Sequence, residues 1–129
     1  MTAKSVDELL AQARRRLERL GPHEAHAALS RGAVLVDIRS DSQRSRDGAV
    51  PGAHVVARNV LEWRADPASE WREPAIADPS RQVIVMCDEG YQSSLAAATL
   101  QDLGLDGATD LIGGFQAWRG AGLPVSSQP

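Results

Sequence analysis

Two short runs of apolar residues stand out in the pattern of hydrophobic and polar positions along the chain. They lie at 33–39 and 83–86 and are rich in β-branched residues, which predicts two strands. Apolar residues occupy both faces of each run, so we expect both strands to be covered from two sides in a parallel or mixed sheet. Weaker patterns predict further strands at 54–57 and 108–112.

Helical periodicity surrounds these strands. Ser5 and Glu8 have the spacing of a capping box, and apolar residues at helical intervals follow as far as Leu20. Further helices are predicted at 22–31, 40–46, 95–104 and 115–120. Because strands and helices alternate, the chain is predicted to have an α/β fold.

One segment lacks a clear period. Residues 66–80 contain several prolines and predict a long surface connection, a type of loop that is often functional. We expect Trp71 to anchor this connection against the body of the domain.

Composition narrows the class of protein. A chain of 129 residues can form one domain with a substantial core. The net charge of −3 argues against a nucleic-acid partner, and no apolar run approaches the length of a membrane span. A polar N-terminus without an apolar signal region and a single cysteine, which cannot form an internal disulfide, favour the cytoplasm.

That cysteine, Cys87, occupies a distinctive position. It ends the predicted strand at 83–86, and a glycine-containing loop and a helix start follow it. Unpaired N–H groups at a helix start favour an anion, so this arrangement suits a reactive thiolate. A small buried apolar role is the alternative interpretation, and spacing alone does not separate the two.

Three chemistries fit the loop poorly. Thiol–disulfide exchange needs a second cysteine where Gly90 stands, and only His54 is a candidate partner for a Cys–His pair. A phosphate-binding Cys-x5-Arg loop needs arginine where Ser93 stands, and Met86 replaces the histidine that precedes the cysteine of such loops.

Sulfur transfer fits better. A thiolate that carries a sulfane sulfur as a persulfide needs one cysteine and a ring of N–H donors, but no metal. Gly90 allows the backbone to curl around the sulfur, and Ser93 and Ser94 are expected to add hydroxyl donors and to cap the helix.

Four motifs in order give the chain a resemblance to the single-domain rhodanese family over about 22–125. They are VLVDIR at 34–39, GAVPGA at 48–53, VIVMCDEGYQSS at 83–94 and LIGGFQAW at 111–118, the last followed by a Gly-Leu-Pro at 122–124. The resemblance implies a central parallel sheet of about five strands with helices on both faces. An N-terminal helical extension (1–21) and a short tail (126–129) would flank this domain.

The resemblance also implies the site. Cys87 would be the persulfide-carrying nucleophile, with no cofactor and no metal. The substrate would be bound by the backbone of the loop and by two arginines, with structural support from two further residues. The binding residues are Asp88, Glu89, Gly90, Tyr91, Gln92, Ser93, Arg39 and Arg58; the supporting residues are Asp37 and Ser94. The donor would be thiosulfate or a persulfide, and the acceptor a thiol or a cyanide-like nucleophile.

The loop departs from thiosulfate-using members, which often carry Arg or Lys there, because Asp88 and Glu89 follow the cysteine. Two carboxylates oppose a dianionic donor, so we expect thiosulfate to be a mediocre donor and a persulfide a better one. The arginines Arg39, Arg44, Arg46 and Arg58 are candidates to restore positive potential.

Other roles stay open. The alternatives to an enzyme of this type are a non-catalytic rhodanese-fold binding module and a thiol-dependent oxyanion reductase of the arsenate type. The N-terminal helix is expected to cover a face of the domain, with self-association as a homodimer as the alternative. Its basic cluster (Arg14, Arg15, Arg16 and Arg19) is interpreted as a solvated helix face, with binding of an anionic partner as the alternative.

Overall fold

The computed structural model describes residues 2–127, which form alternating helices and parallel strands. The strands are β1 (Val34–Asp37), β2 (His54–Val55), β3 (Val83–Met86) and β4 (Thr109–Asp110). The α-helices are α1 (Val6–Arg15), α2 (Pro22–Ser30), α3 (Asp41–Asp47), α4 (Leu61–Ala65), α5 (Gln92–Asp102) and α6 (Gly114–Gly120). A single 3₁₀ turn, Arg58–Val60, leads into α4. In the predicted tail, residues 128 and 129 lie outside the described part of the chain.

The four strands form one parallel sheet in the order β2-β1-β3-β4. The two apolar runs lie side by side at its centre, with Val34 opposite Val83 and Asp37 opposite Met86. Central strands of a parallel sheet are covered on both faces, which is why their sequences are apolar at consecutive positions. All four residues of β1 and of β3 are buried.

Strand alternation divides the core into two halves. Val36 and Val85 point to the face covered by α4 and α5, whereas Leu35 and Ile84 point to the face covered by α2 and α6. Helices therefore lie on both faces of a parallel sheet, as expected from the sequence. The predicted α/β class is confirmed.

The number of strands is corrected from about five to four. At the β4 edge the chain makes one further parallel bridge, between Leu20 and Leu111, which is too short to form a strand. The N–H of Leu20 donates to the carbonyl of Asp110, and the N–H of Ile112 donates to the carbonyl of Leu20. The chain has left the helix by the time it reaches this bridge, and α1 ends at Arg15, with Arg16 as its C-cap, rather than at Leu20.

The start of α1 follows the predicted capping box. The hydroxyl of Ser5 accepts from the N–H of Glu8, and the Glu8 carboxylate accepts from the N–H of Ser5. The helix packs on α5 and buries Ala13. It therefore covers the outer side of α5.

The connection at 66–80 is anchored by Ile76, which is fully buried. Trp71 is 68% exposed, so the prediction that it anchors the segment was wrong. Both residues are hydrophobic, but the fold places Ile76 and not Trp71 in the core cluster that contains Leu61 and Ala65 of α4. Within residues 2–127, no helix is long and apolar enough to cross a membrane.

Candidate active site

Cys87 lies at the carboxyl edge of the sheet, in the loop that joins β3 to α5. Its Sγ accepts backbone hydrogen bonds from Gly90 at 3.2 Å and from Ser93 at 3.4 Å. This curl requires a positive φ at Gly90 (+90°), which glycine adopts without steric cost. The loop thus turns N–H groups toward a thiol that is 8% exposed.

The outer side of the loop is held by the start of α6. The N–H of Phe115 donates to the carbonyl of Cys87 at 2.9 Å, and that of Gln116 donates to the carbonyl of Asp88 at 3.1 Å. A Cβ on Gly114 would lie 2.5 Å from the Cys87 carbonyl oxygen, so only glycine permits this approach. Gly114, in the Gly-Gly pair of the C-terminal motif, therefore allows the start of α6 to lie in direct contact with the loop backbone.

A third carbonyl of the loop is held from the N-terminal extension. The guanidinium groups of Arg14 and Arg19 donate to the Gly90 carbonyl at 2.8 and 3.0 Å. Arg19 also binds both carboxylate oxygens of Asp110, at 2.8 and 3.2 Å. Outward carbonyls and inward N–H groups are the arrangement that an anion-binding loop needs.

Asp110, at the end of β4, is the centre of a buried network. Its side chain is fully buried, and its Oδ2 accepts from the hydroxyls of Ser93 at 2.8 Å and Ser94 at 2.7 Å. Arg14 donates through Nε to the Ser94 hydroxyl at 3.1 Å. The network ties the first turn of α5 to β4 and to the N-terminal extension.

Asp37 and Arg39, at the end of β1, form a second buried pair beside the loop. Arg39 donates to Asp37 through Nε at 3.1 Å and through Nη2 at 2.8 Å, and both side chains have no solvent exposure. The Arg39 guanidinium also lies 3.8 Å from the centre of the Phe115 ring. This pair joins β1 to the residue that binds the Cys87 carbonyl.

A shallow, open cavity of about 240 Å³ lies in front of the sulfur. Its lining residues are Ile38, Arg39, Gln43, Cys87, Asp88, Glu89, Tyr91 and Gln92. Sequence reasoning missed Ile38 and Gln43. Their place in the sequence could have identified them, because both follow β1, the strand next to the strand that precedes Cys87, and α/β proteins place their sites at this edge of the sheet.

The two carboxylates after the cysteine differ in their surroundings. Asp88 accepts from the side-chain amide of Gln116 at 2.9 Å and lies 3.9 Å from Arg46. The Gln116 amide also donates to Asp47, whose pKa is held well below its usual range chiefly by a hydrogen bond from Arg46. Glu89 is exposed and has no ion pair within residues 2–127. The charge of Asp88 is thus partly compensated, and that of Glu89 is not.

Known proteins resemble the chain along most of its length. The model of the rhodanese-like domain matches residues 21–121. The thiosulfate sulfurtransferase GlpE of Stutzerimonas stutzeri is 34% identical over 103 residues, which cover 79% of this chain and 84% of that protein. GlpE of Pseudomonas fluorescens is 38% identical over 104 residues, with 79% and 84% coverage.

Among solved structures, a protein of unknown function from Rhodopseudomonas palustris, described as a possible tyrosine phosphatase, superimposes with a TM-score of 0.88. It is 33% identical and covers 98% of this chain and 97% of its own. This chain belongs to the rhodanese-like family. The expected family resemblance is confirmed.

In this rhodanese-like protein, the predicted loop residues meet around Cys87, but two predicted details need correction. Arg58 does not line the cavity, because its guanidinium binds the Glu62 carboxylate at 2.9 and 3.0 Å. Ser93 and Ser94 do not cap α5: they lie within its first turn, and their hydroxyls donate to Asp110.

The arginines of this rhodanese-like protein are distributed differently from the prediction. The four candidates for positive potential are each bound to a carboxylate: Arg39 to Asp37, Arg44 to Asp41, Arg46 to Asp47 and Arg58 to Glu62. Half of the N-terminal cluster is solvated as expected, namely Arg15 and Arg16, but Arg14 and Arg19 are partly buried against the loop. Periodicity gave no signal for this division, since Arg19 lies beyond the end of α1.

Proposed function

We propose that this rhodanese-like protein is a sulfurtransferase that carries a sulfane sulfur as a persulfide on Cys87. The observation that carries the proposal is the pair of N–H groups, from Gly90 and Ser93, that point at Sγ at the floor of an open cavity. These donors stabilise a sulfur anion without a metal or a partner histidine. GlpE relatives at about a third identity bear the name thiosulfate sulfurtransferase, which supports the same chemistry.

The proposed reaction has two displacement steps. The Cys87 thiolate attacks the outer sulfur of the donor, an S–S bond forms, and the donor's own bond to that sulfur breaks. The leaving group departs with the electron pair, as sulfite from thiosulfate or as a thiolate from a persulfide. An acceptor nucleophile then attacks the outer sulfur, and Cys87 leaves as the thiolate.

The loop has further donors for these steps. The backbone N–H groups of Glu89, Tyr91 and Gln92 make no hydrogen bond within the described part of the protein. They are available for the outer sulfur of the persulfide and for the charge that develops on the leaving group. Such donors are most effective when they require no reorganisation during the reaction. The hydrogen bonds accepted by the loop carbonyls hold the loop in place, and its N–H groups with it.

The charges around the cavity favour a persulfide donor over thiosulfate. Among residues 2–127, Arg39 is the only cationic residue in the cavity wall, and its side chain is buried and bound to Asp37. Glu89 adds an uncompensated negative charge at the mouth. A dianionic donor therefore meets a neutral or negative surface, whereas a thiol persulfide of low charge meets little opposition.

Intact mass spectrometry tests the proposal directly. Incubation of the purified protein with thiosulfate or with a small persulfide should add the mass of one sulfur atom, and cyanide or a thiol should remove it. Cys87→Ser should show no gain in mass, and Ser42→Ala, a change of an exposed hydroxyl on α3, is the matched control that should load normally.

Other outcomes would select another function. The absence of an adduct with every donor would reject the proposal and favour a binding module. Thiol-dependent conversion of arsenate to arsenite without any persulfide would favour an oxyanion reductase.

A phosphatase activity is not proposed for this chain. Because position 93 is a serine, the loop lacks the arginine that binds a phosphate through two hydrogen bonds. The Ser93 hydroxyl does not replace it, since it donates to Asp110.

A further inference from the structure

We propose that Arg14 and Arg19, in the N-terminal extension, are positioning residues for the proposed sulfur transfer. They fix the Gly90 carbonyl so that the neighbouring N–H groups face the sulfur. Both lie before residue 21, where the match to the family model begins. The inference rests on the proposed function, because it assigns these arginines a role in that reaction.

The geometry shows convergence on one atom from distant parts of the chain. The Gly90 oxygen accepts from Arg14 at 2.8 Å across 76 positions and from Arg19 at 3.0 Å across 71 positions. Further contacts hold both guanidinium groups in place. Arg19 is anchored by both oxygens of the fully buried Asp110, and Arg14 by the Ser94 hydroxyl. Planar, two-point contacts of this kind hold an arginine in a fixed orientation.

A glycine at this position needs such a restraint. Gly90 has φ of +90° and has no side chain to lock its conformation. Its N–H donates to Sγ at 3.2 Å, while its carbonyl points to the two arginines. Because the peptide bond to Tyr91 is trans, the Tyr91 N–H points away from the guanidinium groups. Release of the carbonyl would let both N–H groups rotate out of position.

Charge adds to the effect of position. Two cations on one carbonyl polarise its peptide group and make the Tyr91 N–H a stronger donor. The Arg14 guanidinium also lies 5.6 Å from the centre of the Tyr91 ring, at the cavity mouth. The extension thus supports the part of the loop whose N–H groups have no protein acceptor.

The chain provides a matched control on the same segment. Arg15 and Arg16 are exposed, and Arg16 pairs with Asp102 at the surface. The double variant Arg15→Ala/Arg16→Ala removes the same number of positive charges as Arg14→Ala/Arg19→Ala. A comparison of these two double variants separates the contact with Gly90 from net charge.

The first measurement does not depend on activity. Amide hydrogen exchange, followed by NMR, should show Gly90 exchanging about tenfold faster in Arg14→Ala/Arg19→Ala than in wild type, as expected for the loss of a charged hydrogen bond. The Arg15→Ala/Arg16→Ala variant should match wild type at Gly90.

The second measurement is steady-state kinetics with a persulfide donor. The kcat of Arg14→Ala/Arg19→Ala should fall about fivefold to tenfold, with KM changed less than twofold, because orientation of the loop acts on the chemical step. Arg14→Lys, which keeps a cationic donor, should recover most of the kcat lost in Arg14→Ala. A folded variant, checked by circular dichroism, is required in each case.

The two proposals can fail separately. If wild type forms no persulfide, the proposed function is rejected, and Gly90 exchange still decides whether the arginines restrain the loop. If wild type loads sulfur but the arginine variants keep the kcat of wild type, the positioning role is rejected and the function stands. Equal losses in both double variants would also overturn it.

Discussion

The carboxylate of Asp37 and the guanidinium of Arg39 form a two-point ion pair from which solvent is excluded. The contacts measure 3.1 Å and 2.8 Å, and neither side chain is exposed. Removal of one partner from such a pair leaves a buried charge without compensation. The pair therefore makes the carboxyl edge of the sheet sensitive to single substitutions.

We expect Asp37→Ala to lower the free energy of unfolding by about 3–5 kcal/mol, because Arg39 would lose its partner in a dry site. The double variant Asp37→Ala/Arg39→Met should be more stable than Asp37→Ala alone, since no unpaired charge remains. Urea unfolding of the wild type, both single variants and the double variant measures this coupling. A double variant that loses the sum of the single effects would contradict it.

Gly114→Ala should destabilise the protein far more than Gly104→Ala. Both glycines have positive φ, but a Cβ on Gly114 would lie 2.5 Å from the Cys87 carbonyl oxygen, whereas Gly104 has open space. Backbone strain costs about 1 kcal/mol at each site, and the clash adds about 1–3 kcal/mol at Gly114. Thermal unfolding compares the two variants; equal losses would show that the loop tolerates displacement from α6.

Glu89→Gln should lower the KM for thiosulfate about twofold to fivefold, because it removes the uncompensated charge at the cavity mouth. Asp106→Asn changes net charge equally on an exposed residue outside the cavity and serves as the control. The KM for a persulfide of a neutral thiol should not change in either variant. An unchanged thiosulfate KM in Glu89→Gln would show that this carboxylate is too well solvated to affect the donor.

Asp47 should contribute to stability in a pH-dependent manner. Its pKa is lowered from 3.8, first by the hydrogen bond from Arg46 and then by that from Gln116. A lowered pKa in the folded state stabilises the protein above the ordinary value, and this contribution is lost as the pH falls through and below about 4. The stability difference between wild type and Asp47→Asn should therefore be largest above pH 5 and should shrink in acid.

Urea midpoints measured across this pH range provide the test. In an Arg46→Ala background the largest cause of the shift is absent, so the pH-dependent part of the difference should diminish. A difference that stays constant from pH 7 to pH 3 would contradict the assignment.

The sequence predicted those features that depend on local pattern. Consecutive apolar residues at β1 and β3, rich in β-branched types, predict buried parallel strands, because a strand covered on both faces has no polar side. The capping box at Ser5 depends on residues three positions apart, and it forms as predicted.

Features that depend on contacts between distant residues were not predictable in this way. Arg14 and Arg19 resemble Arg15 and Arg16 in sequence, but the packing of α1 on α5 and the bridge at Leu20 place them beside Gly90. Likewise, serine is a residue type that often caps helices, but the hydroxyl of Ser93 donates a hydrogen bond to Asp110 instead. Arg19 and Ser93 both bind Asp110, whose position depends on the pairing of β4 with β3, and a strand of two residues gives no clear signal of that pairing in sequence.

The shape of the cysteine loop is set by segments near both ends of the chain. Arg14 approaches from the N-terminal side, while Gly114 and Gln116 approach from the C-terminal side. During synthesis the residues at 113–116 emerge late, so Cys87 leaves the ribosome before its loop can close around it. A nascent chain that ends before residue 113 therefore lacks the contacts that hold the carbonyls of Cys87 and Asp88, and its cysteine loop cannot yet be held in the shape that the complete domain gives it.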